Sequence, residues 1–299
     1  MTFVCGKGGV GKTTVAASLA LCASLQKQKT LLFEIDAGSQ STKLLEIQPA
    51  TSVWREAREH LFIADINPQD AIREYAGRVL RFDALARILT DNPVIHSLLA
   101  LLPALYESVL LGKIYYHAFH ENHEEPVFEH IIIDMPSTGH ALAFFDAPQA
   151  LADMVSHGPM HRNAKAIHEH LINPKQTQIV IVTTPEETPC LEAEMLIKQC
   201  TSLRMSIGAL VVNRMPHHIS EILVDQIIHA PELQALHDAW ILQNIRANHA
   251  HMHVPTVSER QQIMSLVLPE YADTQESLRI VSAMTDLLAP ILTQWNTIP

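Results

Sequence analysis

Nine residues constrain this chain more than any others: Gly6-Lys7-Gly8-Gly9-Val10-Gly11-Lys12-Thr13-Thr14. They follow the apolar run of residues 1–5, which suits a first buried strand, and open a helix-compatible stretch over 13–26. Strand, glycine-rich loop and helix in that order is the setting a phosphate-binding loop requires. The spacing fits too: Gly6, four residues, then Gly11-Lys12-Thr13. Glycines let the backbone curl until successive N–H groups point inward at phosphate oxygens. The positive end of the following helix adds to the attraction. The pattern assigns Lys12 to the β- and γ-phosphates and the Thr13 hydroxyl to Mg²⁺, on a loop lined by Gly6, Gly8, Gly9, Val10, Gly11 and Thr14.

Apolar runs alternate with helical patterns along the whole chain. Candidate strands cover 2–5, 30–35, 61–66, 130–134, 178–183 and 207–213. Most are runs of four to eight apolar residues, as strands covered on both faces should be. The alternation predicts an α/β fold with a doubly wound, mostly parallel sheet. Ligands of such sheets bind beyond the carboxyl ends of the strands. The loop 6–14 and the segments after Asp36 and Asp134 all fall at such ends. Asp134 closes the run His130-Ile-Ile-Ile-Asp134, where a carboxylate can hold a water of the Mg²⁺ shell.

No repeat, low-complexity tract or linker divides the 299 residues, so one domain over 1–299 is expected. Two stretches break the simple alternation. Residues 68–123 are helical by pattern, Leu-rich from 98 to 111, and interrupted by Pro93 and Pro103. Residues 141–173 form the second. Together they read as a helical subdomain over the nucleotide face; helices that merely cover the sheet are the alternative.

Composition removes several classes. A hydrophobic content of 47% is ample for a core and argues against disorder. A net charge of −11 argues against non-specific nucleic-acid binding, which needs a positive surface. The four cysteines (Cys5, Cys22, Cys190, Cys200) form no Cys-x-x-Cys pair, which suits a reducing cytoplasm and offers no thiolate zinc site. Met1 lies against the first strand, so no leader is expected. The longest apolar run, 98–106, falls far short of the roughly 20 residues that span a bilayer, so no transmembrane segment is expected.

Lys7 narrows the reading further. A lysine directly after the first glycine resembles the deviant P-loop of the ParA/MinD/nitrogenase-iron-protein/ArsA group of dimeric ATPases. That resemblance implies that Lys7 crosses a subunit interface to phosphate bound by the partner. Asp134…Thr138-Gly139-His140…Leu142, followed by Phe144-Phe145…Pro148, resembles the switch II segment of the ArsA and Get/TRC ATPases. The family pattern is Asp-Thr-Ala-Pro-Thr-Gly-His-Thr-Leu-Arg, from which this chain departs at Met135, Pro136, Ser137, Ala141 and Ala143. Phe33-Glu-Ile-Asp36-Ala37-Gly38-Ser39 is similar to the family's switch I, usually Asp-Pro-Ala-His, which implies that Asp36 orients the hydrolytic water. The segment 61–75 is similar to the family's strand-then-helix. Asn213 matches the adenine-contacting asparagine, whose amide can both donate and accept. Pro255 is similar to the adenine-loop proline, with a structural turn as the alternative. The resemblance runs from Thr2 to about Pro255.

It implies a cytoplasmic, Mg²⁺-dependent ATPase working as a homodimer, or as a heterodimer with a related chain. ATP and Mg²⁺ are the expected cofactors. Switches I and II would open and close the helical region on a hydrophobic protein client or a membrane-protein partner. No cysteines occupy residues 66–174, unlike the metalloid-binding pumps, and no zinc clasp of the eukaryotic targeting ATPases is present. His117, His120 and His123, and His249, His251 and His253, recur regularly, but neither set has a carboxylate or thiolate framework. One rival is a MinD/ParA-like positioning ATPase, which would end in a basic amphipathic helix; residues 278–295 carry Arg279 as their one cation. Another is a weakly hydrolysing paralogue.

Overall fold

The computed structural model describes residues 1–35, 40–49, 54–66, 71, 105–118, 127–136, 141–216, 238, 241, 244–246, 262–271 and 277–296. The elements among them run β1 (Thr2–Cys5), α1 (Lys12–Leu25), β2 (Thr30–Ile35), α2 (Gln40–Leu44), β3 (Arg55–Arg58), β4 (Leu61–Ile66), α3 (Leu105–Ala118), β5 (His130–Asp134), α4 (Ala141–Met154), α5 (Pro159–Leu171), β6 (Gln178–Thr183), α6 (Glu187–Ser202), β7 (Ile207–Met215), β8 (Met264–Pro269) and α7 (Ser277–Asn296).

The eight strands form one sheet in the order β3-β4-β2-β5-β1-β6-β7-β8. All neighbours are parallel except the β3–β4 edge pair. Strands β1, β2, β5 and β6 are buried along their whole length, because helices cover both faces. Each strand deals its side chains alternately to the two layers. Phe3, Phe33, Ile133 and Ile181 pack with residues of α3, α4, α5 and α6. Val4, Leu32, Ile132 and Val180 pack with residues of α1 and α7.

Helix α1 is rich in Ala and Ser, and these small side chains let it lie between the sheet and α7. Val15, Ala16, Ala17, Leu19 and Ala20 are all fully buried. Val281, Met284, Leu288, Ile291 and Leu292 bury the apolar face of α7. Burying a Val, Leu or Ile side chain is worth about 1.5–3 kcal/mol, so this face is part of the core. On the other layer Phe3 meets Phe145 of α4 edge-on at 5.2 Å, tying the segment after β5 to the central strand. The described parts of the two helical stretches, α3 and α4–α5, share that layer. No helix among the described residues is long and apolar enough to cross a membrane.

Candidate nucleotide site

Strand β1 sits between β5 and β6, where the strand order reverses. A parallel sheet splays its loops apart at such a point and opens a crevice. The loop 6–14 leaves β1 into that crevice and runs into α1. Two of its glycines are demanded by geometry. Gly6 has φ 155, and a Cβ there would lie 2.2 Å from the Val182 carbonyl oxygen of β6. Gly11, at the N-terminus of α1, sits in the left-handed region with φ 95 and ψ 28. A Cβ there would come within 2.3 Å of the Asn213 side-chain nitrogen. Only glycine fits both constraints at either position.

Sheet and helix bring the charged groups together. Thr13, in the first turn of α1, donates its hydroxyl to Asp134 Oδ2 at 2.7 Å. Asp134 Oδ1 is buried without a hydrogen-bond partner. Burial pushes the Asp134 carboxyl up to about 6, although the Thr13 hydroxyl and the Lys12 ammonium pull it back; the charge of Glu34 raises it further. Lys12 is itself buried and donates from Nζ to the Lys7 carbonyl at 3.0 Å. Burial lowers its pKa, against the pull of Asp134. The loop therefore holds a desolvated cation curled over its own backbone, with a hydroxyl–carboxylate pair beside it.

Asn213 ends up closer to the loop than its sequence position suggests. It lies on β7, is 3% exposed, and donates from Nδ2 to the Val10 carbonyl at 2.9 Å. Its Oδ1 is buried without a hydrogen-bond partner. Lys7 points away from the loop interior and pairs with Glu192 Oε1 of α6 at 2.7 Å. Asp36, Thr138, Gly139, His140 and Pro255 lie outside the described residues, as do residues 249–253 and most of 68–123. Among the described residues no group of three His, Cys, Asp or Glu side chains is placed to hold a metal ion directly.

Two residues of this region escaped the sequence reading. Glu34 had a signal, being the one acidic residue in the apolar strand 30–35. Glu192 had none, since a single carboxylate on a polar helix face looks like any solvated charge.

The family model for the anion-transporting ATPase matches residues 1–158 and 154–258. ATPase BagA of Mycobacterium tuberculosis is 28% identical over 225 residues, covering 72% of this chain and 65% of that protein. The ATPase ASNA1 homolog of Entamoeba histolytica is 24% identical over 250 residues, covering 71% of this chain and 75% of its own. The arsenical pump-driving ATPase of Acidiphilium multivorum is 25% identical over 258 residues, covering 79% of this chain and 40% of its own. The match thus spans just under two thirds of the mycobacterial relative and less than half of the Acidiphilium one.

Proposed function

The chain belongs to the anion-transporting ATPase family, and on that premise we propose that it binds and hydrolyses ATP with Mg²⁺ at the loop 6–14. The observation that carries the reading is the contact of 2.7 Å between Thr13 Oγ1 and Asp134 Oδ2, at the mouth of a glycine-built loop. The donor set fits Mg²⁺, a hard cation that takes oxygen ligands and keeps several waters. Thr13 supplies a hydroxyl. Asp134 supplies a carboxylate with one oxygen still unpartnered. When bound, the ion neutralises charge on the phosphates.

The residues then divide the work. Lys12 turns from the Lys7 carbonyl to the β- and γ-phosphates. The loop amides of residues 8–14 cradle the phosphate oxygens. Asp36 orients the attacking water. Lys7 serves the nucleotide of a second subunit across a two-fold interface, in a homodimer or with a related chain. Asn213 Oδ1, an acceptor with no hydrogen-bond partner, suits the amino group of adenine; Pro255 borders the same base. Thr138, Gly139 and His140 carry the nucleotide state from Asp134 towards α4. From there it reaches the helical region at 68–123 and 141–173, which opens and closes on an apolar client or a membrane-protein partner in the cytoplasm.

The rival reading as a MinD/ParA-like positioning ATPase is disfavoured by α7, the C-terminal helix, whose apolar face is already buried against α1. ATP hydrolysis measured with Mg²⁺, with chelator, and with Asp36→Asn tests the proposal. Mg²⁺-dependent turnover that falls about 10²-fold or more in the variant, with ATP binding retained, is expected. Turnover indifferent to both changes overturns it.

A further inference from the structure

Glu34 lies outside the loop motif but beside Asp134, on the strand next to β5. In the sheet register it stands opposite Asp65 on β4 and Asp134 on β5. Leu32, two residues earlier on β2, and Ile132 on β5 face the α1 side. The alternation of a strand therefore puts Glu34 and Asp134 on that side as well. Neighbouring parallel strands lie about 4.8 Å apart, so the two carboxylates face the phosphate loop side by side.

Glu34 is fully buried, and its two oxygens do different things. Oε1 accepts the Ser41 backbone N–H at 2.6 Å. Ser41 is in the first turn of α2, just past residues 36–39. Oε2 is buried without a hydrogen-bond partner, like Asp134 Oδ1 on the next strand. A buried polar atom left unpartnered costs about 1–3 kcal/mol. Ionised carboxylates only accept, so these two cannot satisfy one another. What fits between them is a donor. The Ser41 hydroxyl, itself buried without a partner, is one donor beside Glu34. Across to Asp134, where the carboxylate row is not placed to ligate a cation directly, a cation's water is a donor that can serve both strands.

We propose that Glu34 is a positioning residue for the hydrated cation: Oε2 accepts from a metal-bound water on the Asp134 side, while Oε1 holds Ser41. The occupied metal site is thereby tied to the chain segment 36–39, which Glu34 and Ser41 bracket. This rests on the Mg²⁺–nucleotide reading above. The carboxylate acts through the water and through α2, and touches neither phosphate nor nucleophile.

The test uses Mn²⁺ as the probe, titrated by electron paramagnetic resonance into the full chain with a saturating non-hydrolysable ATP analogue. Glu34→Gln keeps the shape and the Ser41 acceptor but weakens the acceptor offered to water. Mn²⁺ affinity should fall about 10-fold or more, in the range typical for groups that orient a metal's ligands. Metal-free analogue affinity should stay within about 2-fold of wild type, since Glu34 touches no phosphate. In wild type, Mn²⁺ with analogue should slow amide exchange over residues 40–44; in Glu34→Gln it should not. Glu34→Asp, one methylene shorter, cannot span both partners and should lose the exchange response as well. Unchanged Mn²⁺ affinity and an unchanged exchange response in Glu34→Gln overturn the inference, as does a variant that is merely less stable. If wild type itself binds no Mn²⁺ with the analogue, the ATPase reading fails instead.

Discussion

Lys7 Nζ lies 2.7 Å from Glu192 Oε1, so the lysine expected to serve a partner's nucleotide is held by a carboxylate of its own subunit. The side chains are 39% and 38% exposed. An ion pair so open to water is worth about 1 kcal/mol or less. A polyphosphate carries more charge than one carboxylate and can displace it. On the proposed trans role, Glu192 would be a weak competitor that holds Lys7 at home until nucleotide and partner are both present.

Removing the competitor should favour assembly. Glu192→Gln should lower the concentration of non-hydrolysable analogue needed for dimerisation by up to about 5-fold, the equivalent of roughly 1 kcal/mol. Lys7→Ala should do the opposite, leaving single-subunit binding nearly intact while weakening assembly and slowing hydrolysis. Sedimentation velocity reads both. Identical assembly in wild type, Glu192→Gln and Lys7→Ala would mean that Lys7 serves no partner.

Lys12 offers a cleaner separation of binding from folding. Its ammonium is buried, and burial lowers its pKa. Removing it takes away a desolvated charge but also the ammonium that offsets the buried Asp134 carboxylate, so the two effects oppose. Lys12→Ala should therefore unfold near the wild-type temperature. Its ATP affinity should still fall about 10²-fold, because a charge-assisted contact to the phosphates is gone. Calorimetry that finds unchanged affinity would remove Lys12 from the phosphate site.

The sequence made most of this legible where the information is local. The loop 6–14 is a contiguous motif, and five predicted strands coincide with β1, β2, β4, β5 and β6. Strand β7 runs on to Met215, two residues past the predicted end, as it pairs with β8. The two unpredicted strands are the sheet edges. Arg55-Glu-Ala-Arg58 has charged residues at both ends of an antiparallel edge pair and no apolar run. The residues of β8 are half-exposed or exposed at all but Leu268, and Ser265 interrupts its short apolar run. Within the site, Glu192 and the Asn213–Val10 bond were invisible, and the placement of Glu34 was too, although its acid in an apolar strand was a signal. Each depends on sheet register or helix placement across 100 or more residues, except Glu34, whose Ser41 contact is near but whose Asp134 neighbour is set by register.

Acid should destabilise the fold through buried histidines. Burial lowers His130 and His170 from 6.5 to about 4, with the Met1 amino group assisting. A depressed pKa means the fold favours neutral imidazole. The stability these groups contribute is complete above 6.5 and is lost as pH falls towards 4. At pH 5 that is about 2 kcal/mol for each. Asp134, raised from 3.8 to about 6, works in the other direction. Its charge is a burden above pH 6, and relieving it by pH 5 returns only about 1.4 kcal/mol. The histidines win, and the Met1 amino group, lowered by burial from 8.0 to about 5, adds a loss of the same sign, so urea denaturation should show a net loss of at least about 2–3 kcal/mol from pH 7.5 to 5. His170 stacks edge-on against Tyr115 at 5.3 Å. His170→Phe keeps an aromatic ring there and should remove much of the slope. A variant with the wild-type pH profile would clear His170 of this role.

Gly11 tests whether the loop and Asn213 form one unit. Two separate costs meet a Cβ at this position. The backbone is left-handed at φ 95, which charges a non-glycine residue about 1–3 kcal/mol. The methyl would also sit 2.3 Å from Asn213 Nδ2, far inside contact distance. The Asn213 side chain cannot swing aside freely, because Nδ2 is bonded to the Val10 carbonyl at 2.9 Å. Gly11→Ala should therefore break that bond, destabilise the chain by a few kcal/mol, roughly the strain plus one lost hydrogen bond, and abolish tight ATP binding. Asn213→Ala removes the obstacle but leaves the left-handed backbone. In the Gly11→Ala/Asn213→Ala double variant the clash disappears and the strain remains, so its destabilisation should fall short of the sum of the two single-variant losses by about 1 kcal/mol or more. Thermal denaturation of the four proteins reads this coupling directly. Strict additivity would mean that Asn213 does not brace the loop.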